Sequence, residues 1–180
     1  VIATAIQRAK AVVDVKRPDL AEQERLKIAR QVGIGALKHN DLSQNRQSDI
    51  AFEWDKMMDL EGNSAPYLMY TYVRLRSILK KVKPDKINLE YLEKETDCDL
   101  ILKLIQFPDV LAKITESYFP HLLTDYLYDL AKSANYFYQT ESVLKAEPGL
   151  KGARWQLVKA IAQTLKTGFG LLGIKAPDKM

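Results

Sequence analysis

One cysteine, Cys98, and two histidines, His39 and His121, are the only thiol and imidazole side chains in this chain of 180 residues. A lone thiol closes no internal disulfide, and with two histidines it cannot supply the four ligands of a structural zinc. The inward Glu-x-x-His pairs of a di-metal helical bundle are also missing, so no metal site is expected. Neither a phosphate-cradling GxxxxGK nor a GxGxxG behind a strand occurs. Two histidines give a hydrolase triad little to draw on. The "DKMMD" at 55–59 shares only two residues with a catalytic lysine-methionine loop, and its methionines suit a core. His121, behind Pro120 at a helix start, suits capping or surface better than chemistry. No apolar run approaches the roughly 18 residues that cross a bilayer. No signal-peptide pattern opens the chain, so a cytoplasmic protein without membrane contact is expected.

What is present is an apolar share of 47%, enough for one buried core, or for one domain and a piece of a second. The chain opens "VIATAIQRAKAVV" inside a helical pattern and without an initiator methionine, which we read as the sign of a fragment. Helices are expected over 1–16 and over 20–32, the second capped by Asp19 and ended by Gly33. From Gly33 to Met57, apolar residues mixed with Gly, Asn, Ser and Asp predict irregular structure or short extended pieces. Beyond Gly62 the pattern is helical throughout: 65–83, then a looser acidic connection, then 98–106, 108–118, 121–139 and 150–173. In the helix from His121, Leu122, Leu123, Tyr126, Leu127, Leu130, Ala134 and Phe137 share an arc that suits a bundle core, with Tyr138 at its edge. In the last helix Arg154 falls inside the stripe Leu150, Leu157, Ile161, Leu165 and Leu172. A guanidinium there requires a carboxylate or carbonyl from a neighbouring helix, because an unpaired buried charge costs several kcal/mol.

The net charge is only +4, but it is unevenly spread. Six cations lie between Arg74 and Lys86 against Asp85 alone, and six between Lys151 and Met180 against Asp178 alone. The stretch from Ile87 to Asp129 carries nine acids and three cations. Two basic ends flank an acidic middle. A polyanion could use those ends, and a mixed solvated surface would read the same way.

The stretch "EGNSAPYLMYTYVRLRS", residues 61–77, combines three tyrosines and two arginines at a marked helix start, with Ser64 as cap and Pro66 in the first turn. At 100° per residue, Leu68, Tyr72, Leu75 and Leu79 form a buried stripe. Tyr67, Tyr70 and Arg74 fall on another face, which Lys81 continues. Phenol rings beside a guanidinium suit unstacked bases, which offer a π-face to the ring and phosphate to the cation. They equally suit packing beneath a neighbouring helix with hydroxyls at the rim.

The longer run "VGIGALKHNDLSQNRQSDIAFEWDKMMDLEGNSAPYLMYTYVRLRSI", followed by "PHLLTDYLYDLAKSANYFYQ", "VLKAE" and "LGIKAPDKM", resembles the C-terminal part of bacterial-type arginyl-tRNA synthetases, from about residue 29 to the end. The family is a class I synthetase, in which a Rossmann-type catalytic domain precedes a helical anticodon-binding domain. The catalytic ATP signature of the family is missing here. Three departures stand out: His39 in "KHNDLS" where a tyrosine is common, Trp155 where "ARL" is common, and Lys179 where an arginine usually precedes the final methionine.

The resemblance implies a mostly α-helical bundle of the class I anticodon-binding type. Residues 1–62 would be a stem reaching toward the absent catalytic domain, and 63–180 the anticodon-binding domain. It implies tRNA(Arg) as partner, read through the cytosine at the middle of every arginine anticodon, and a monomer. The family's contacts carry over to Tyr67, Tyr70, Arg74, Tyr138 and Met180. Lys38, Asn45, Arg46 and Lys81 are candidates for contact with tRNA or with the missing domain. No catalytic residue and no cofactor is expected in this chain, whereas the parent would use ATP and magnesium to join arginine to its tRNA. The alternative is a helical protein-interaction module with no RNA role.

Overall fold

The computed structural model describes residues 1–50, 52–82, 84 and 87–180. Its elements are α1 (Ile2–Lys16), α2 (Glu22–Leu42), the single turn α3 (Trp54–Met57), α4 (Ala65–Lys81), a 3-10 turn (Leu89–Tyr91), α5 (Glu95–Ser117), α6 (His121–Thr140) and α7 (Pro148–Leu171). No strand occurs among the described residues.

α1 and α2 form a hairpin. The helix expected to stop at Gly33 instead runs nine residues further, and Ala21, not Asp19, stands at its N-cap. Asp19 accepts from the Arg17 guanidinium at 2.9 and 2.8 Å. Gly33 marks a close helix crossing: a Cβ there would lie 2.7 Å from the Ala5 carbonyl oxygen. A glycine can thus admit a neighbouring backbone without ending its own helix. Part of the stretch expected to be irregular is therefore helical.

α4 starts where its sequence signals place it, with the Ser64 hydroxyl accepting from the Tyr67 amide at 3.2 Å. It ends at Lys81. Residue 83, the expected end, lies outside the described residues, as does Lys86. α5 is continuous through Pro108, where two helices were expected. Proline there removes one amide donor, but Pro108 is exposed, so water can serve the freed carbonyl. In the preceding turn the Tyr126 hydroxyl donates to the Lys103 carbonyl at 2.8 Å, and Phe107 stacks on the Tyr126 ring.

Beside a small second cluster of Ala5, Ala36 and Met57, most of the core among the described residues is one apolar cluster. Leu68 and Leu75 of α4, Leu127, Leu130 and Phe137 of α6, and Val158, Ile161, Leu165 and Phe169 of α7 are fully or almost fully buried within it. It runs on without interruption into Val13, Ile28, Ala29 and Val32 of the hairpin. Arg154 is buried inside the α7 stripe and finds the partners its position demands. Nη1 donates to the Ser142 carbonyl at 3.0 Å, and Nη2 pairs with the Glu141 carboxylate just past α6. Lys94 pairs with the same carboxylate at 2.8 Å. Its hydrogen bond, and then that of Arg154, hold Glu141 below the usual carboxylate range, while burial pushes the fully buried Asp97 up.

Candidate nucleic-acid interface

Tyr67 and Arg74 project from α4 toward α6, which supplies Tyr128, Asn135 and Tyr138, while Tyr70 lies on the other side of Arg74. The Arg74 guanidinium lies 4.5 Å from the Tyr70 ring centroid and 4.9 Å from that of Tyr138. One delocalised cation is thus held between two phenol rings, each about 45% exposed. Its Nη1 donates to Asn135 Oδ1 at 3.0 Å. The Asn135 amide nitrogen donates to the Tyr67 hydroxyl at 3.0 Å and to Thr71 Oγ1 at 2.8 Å. The amide orientation follows, because a flipped Asn135 would turn NH2 against the guanidinium. Thr71 closes the network by donating to the Tyr67 carbonyl at 3.0 Å.

The two readings of this face divide between its residues. Tyr67 is half-buried, tilted against Tyr128 at 5.5 Å, with its hydroxyl engaged. That is the packed arrangement. Tyr70 and Tyr138 offer open ring surface beside a cation, the arrangement that suits a flat ligand with negative charge nearby. Lys81 is exposed on the last turn of α4.

Met180 arrives from the other end of the chain. It and Tyr70 wall one recess of about 400 Å³ together with Val12, Val13, Leu60 and Arg17. Arg17 Nη1 donates to the Met180 carbonyl at 3.3 Å. The remaining candidates lie elsewhere. Lys38 donates from Nζ to the Gly173 carbonyl, and Asn45 accepts the Gln47 amide at 3.0 Å in a local turn. Arg46 lies over the Phe119 ring at 5.1 Å. His39 is buried in α2, and desolvation lowers its pKa to about 4. Trp155 carries the Lys159 ammonium over its ring at 5.3 Å, and Lys179 pairs with Glu24 at 2.7 Å.

Asn135, Thr71 and Tyr128 escaped the sequence reading. A signal existed: Tyr128, Asn135 and Tyr138 follow i, i+7, i+10, so they share one face of α6. Among the described residues no group of three or more His, Cys, Asp or Glu could hold a metal ion, and no helix is long and apolar enough to cross a membrane.

Fold and face together define a mostly helical module that carries a ring-flanked guanidinium on its surface. The model of the DALR anticodon binding domain matches residues 68–180, and the chain belongs to that family. It is 48% identical over 177 residues to an arginine–tRNA ligase of Laribacter hongkongensis, covering 98% of this chain and 31% of that protein. The corresponding ligase of Fusobacterium nucleatum is 45% identical over 181 residues, covering 98% of this chain and 32% of the relative. The arginyl-tRNA synthetase of Thermus thermophilus superposes with a TM-score of 0.93 at 32% identity, over 99% of this chain and 31% of that one. That of Plasmodium falciparum gives 0.83 at 27% identity, over 99% and 33%. The chain thus spans about a third of the length of the relatives it matches.

Proposed function

We propose that this chain is the tRNA-binding portion of an arginine–tRNA ligase and that its contact face is Tyr70, Arg74 and Tyr138, with Tyr67 beneath and Met180 beside them. The observation that carries the reading is the Arg74 guanidinium held between two exposed phenol rings. A splayed anticodon base can lie on either open ring, and each such stack is worth about 1–3 kcal/mol. The cation faces the adjoining phosphates. Lys81 and Arg46, both exposed, extend backbone contact, whereas Lys38 and Asn45 serve their own chain.

The parent enzyme would be a cytoplasmic monomer whose catalytic domain, in the same chain, uses ATP and magnesium to join arginine to tRNA(Arg). Residues 1–62 would form the stem between that domain and the bundle. The relatives named for this activity support the proposal.

Titration of the chain with an arginine anticodon stem-loop tests it. Wild type is expected to prefer that loop over a scrambled one and to lose affinity steeply with salt. The Tyr67→Ala plus Tyr138→Ala variant is expected to bind at least tenfold more weakly, about one stacked base. Equal binding by the two proteins would refute the site. Salt-insensitive capture of a protein ligand, without RNA affinity, would favour the interaction-module alternative.

A further inference from the structure

The last eight residues, Gly173 to Met180, follow α7 without regular structure, yet they deliver Met180 to the recess it shares with Tyr70. The two halves of this strap are held differently. The first is anchored by burial: Ile174 and Pro177 are buried, the Ile174 amide donates to the Phe169 carbonyl at 2.8 Å, and Lys38 takes the Gly173 carbonyl. Gly173 makes the turn at φ 64°, a conformation that favours glycine.

Beyond Pro177 the polar contacts are cationic. Asp178 pairs with Arg76, Lys179 with Glu24, and the Met180 carbonyl accepts from Arg17. Exposed pairs of this kind are individually weak, so the tip is held by their sum and is sensitive to salt. Arg76 is the holder that α4 itself supplies. Its guanidinium lies 5.6 Å from the Tyr72 ring, and its hydrogen bond to Asp178 draws that carboxyl below the usual range. Among the described residues Asp178 is also the one acid lining a groove of about 590 Å³, where the cations are Arg76, Lys159, Lys166 and Lys175.

The dimensions agree. Arg76 stands six residues beyond Tyr70 on α4, a rise of about 9 Å. Two extended residues carry Asp178 to Met180 across about 7 Å. A strap fastened at Arg76 is thus long enough to reach the recess that Met180 lines with Tyr70 of the same helix.

We propose that Arg76 is a positioning residue: by holding Asp178 it fastens the C-terminal strap along α4 and fixes Met180 against Tyr70. This rests on the reading of Tyr70 and Met180 as an RNA contact. It also makes an unusual demand, because Asp178→Arg adds positive charge to an already basic groove. Plain electrostatics would then strengthen RNA binding, whereas loss of the strap weakens it.

The test compares wild type, Asp178→Arg, Arg76→Asp, the double exchange and Met180→Ala, with thermal unfolding as a check on folding. Two readouts are used. The first needs no RNA: with methyl-labelled methionine, the Met180 signal is expected to move in Asp178→Arg and to return in the double exchange. The second is affinity for the arginine anticodon stem-loop. It is expected to fall about fivefold in Asp178→Arg, the size of one exposed ion pair, and to recover within about twofold in the exchange. An unmoved Met180 signal in Asp178→Arg overturns the strap whatever the RNA does. A moved signal with unchanged or tighter RNA binding, while Met180→Ala weakens binding, overturns the positioning role and leaves the contact face standing. Wild-type affinity in Met180→Ala overturns both the contact assigned to Met180 and the role built on it.

Discussion

Asn135 bridges two residues that lie seven apart on another helix: its carbonyl accepts from Arg74, and its amide donates to the Tyr67 hydroxyl. The rotamer of the cation is therefore set by α6 as much as by α4. Asn135→Asp would keep an acceptor for Arg74 but cancel its charge locally. Folding stability is expected to fall by about 1 kcal/mol, because the two hydrogen bonds the amide donates are lost, while stem-loop affinity drops about five- to tenfold, the range for one charge-assisted contact. Parallel unfolding and binding curves would separate the two effects, and unchanged affinity would exclude Arg74 as the phosphate-facing cation.

Arg154 is nearly inaccessible and sits among Glu141, Asp97 and the Ser142 carbonyl. Arg154→Met would fill similar space but strand the carboxylates, Asp97 above all. We expect a loss of about 3–5 kcal/mol, the cost of removing one partner from a buried ion pair. Urea unfolding measures it. A loss below about 1 kcal/mol would mean that the carboxylates simply take up protons or water.

His39 must stay neutral in the folded chain. Its folded pKa, about 4, lies below the ordinary value of 6.5, so the unfolded chain takes up the proton first as pH falls. The associated stability is complete above about pH 6.5 and is lost progressively down to about pH 4, amounting to roughly 3 kcal/mol at the limit. His39→Gln should flatten the stability profile over that interval relative to wild type. The slope is the quantity to compare, since the substitution shifts absolute stability as well.

Gly33→Ala sets two effects against each other. Alanine favours the helix by about 1 kcal/mol, whereas its methyl group would meet the Ala5 backbone at a distance real contacts do not reach. Overpacking of that kind costs about 1–3 kcal/mol, so a net loss of stability is expected. A raised melting temperature would show that α1 can slide away at little cost.

The readable parts of this molecule were those in which one helix settles the matter. Helical period alone put Tyr67, Tyr70 and Arg74 on one face, and the position of Arg154 within an apolar stripe demanded the partner it has. What one helix could not show was any relation between helices. Asn135 reads as an incidental polar residue until α4 stands opposite it. Gly33 looked like a terminator because its real neighbour, the Ala5 carbonyl, belongs to a different helix. Pro108 looked like a break, yet packing between Phe107 and Tyr126 holds α5 together across it. The resemblance to the synthetase family supplied Met180, which no local pattern marks and whose neighbour Tyr70 lies far away in the chain.

The shared core of hairpin and bundle carries a mechanical consequence. Val13, Ile28, Ala29 and Val32 are embedded with Leu68 and Leu75 in one apolar mass, so no slack joint separates the two parts. A force applied at the far end of α1 would reach the tyrosine face as a tilt of the whole body, much as a handle turns a key.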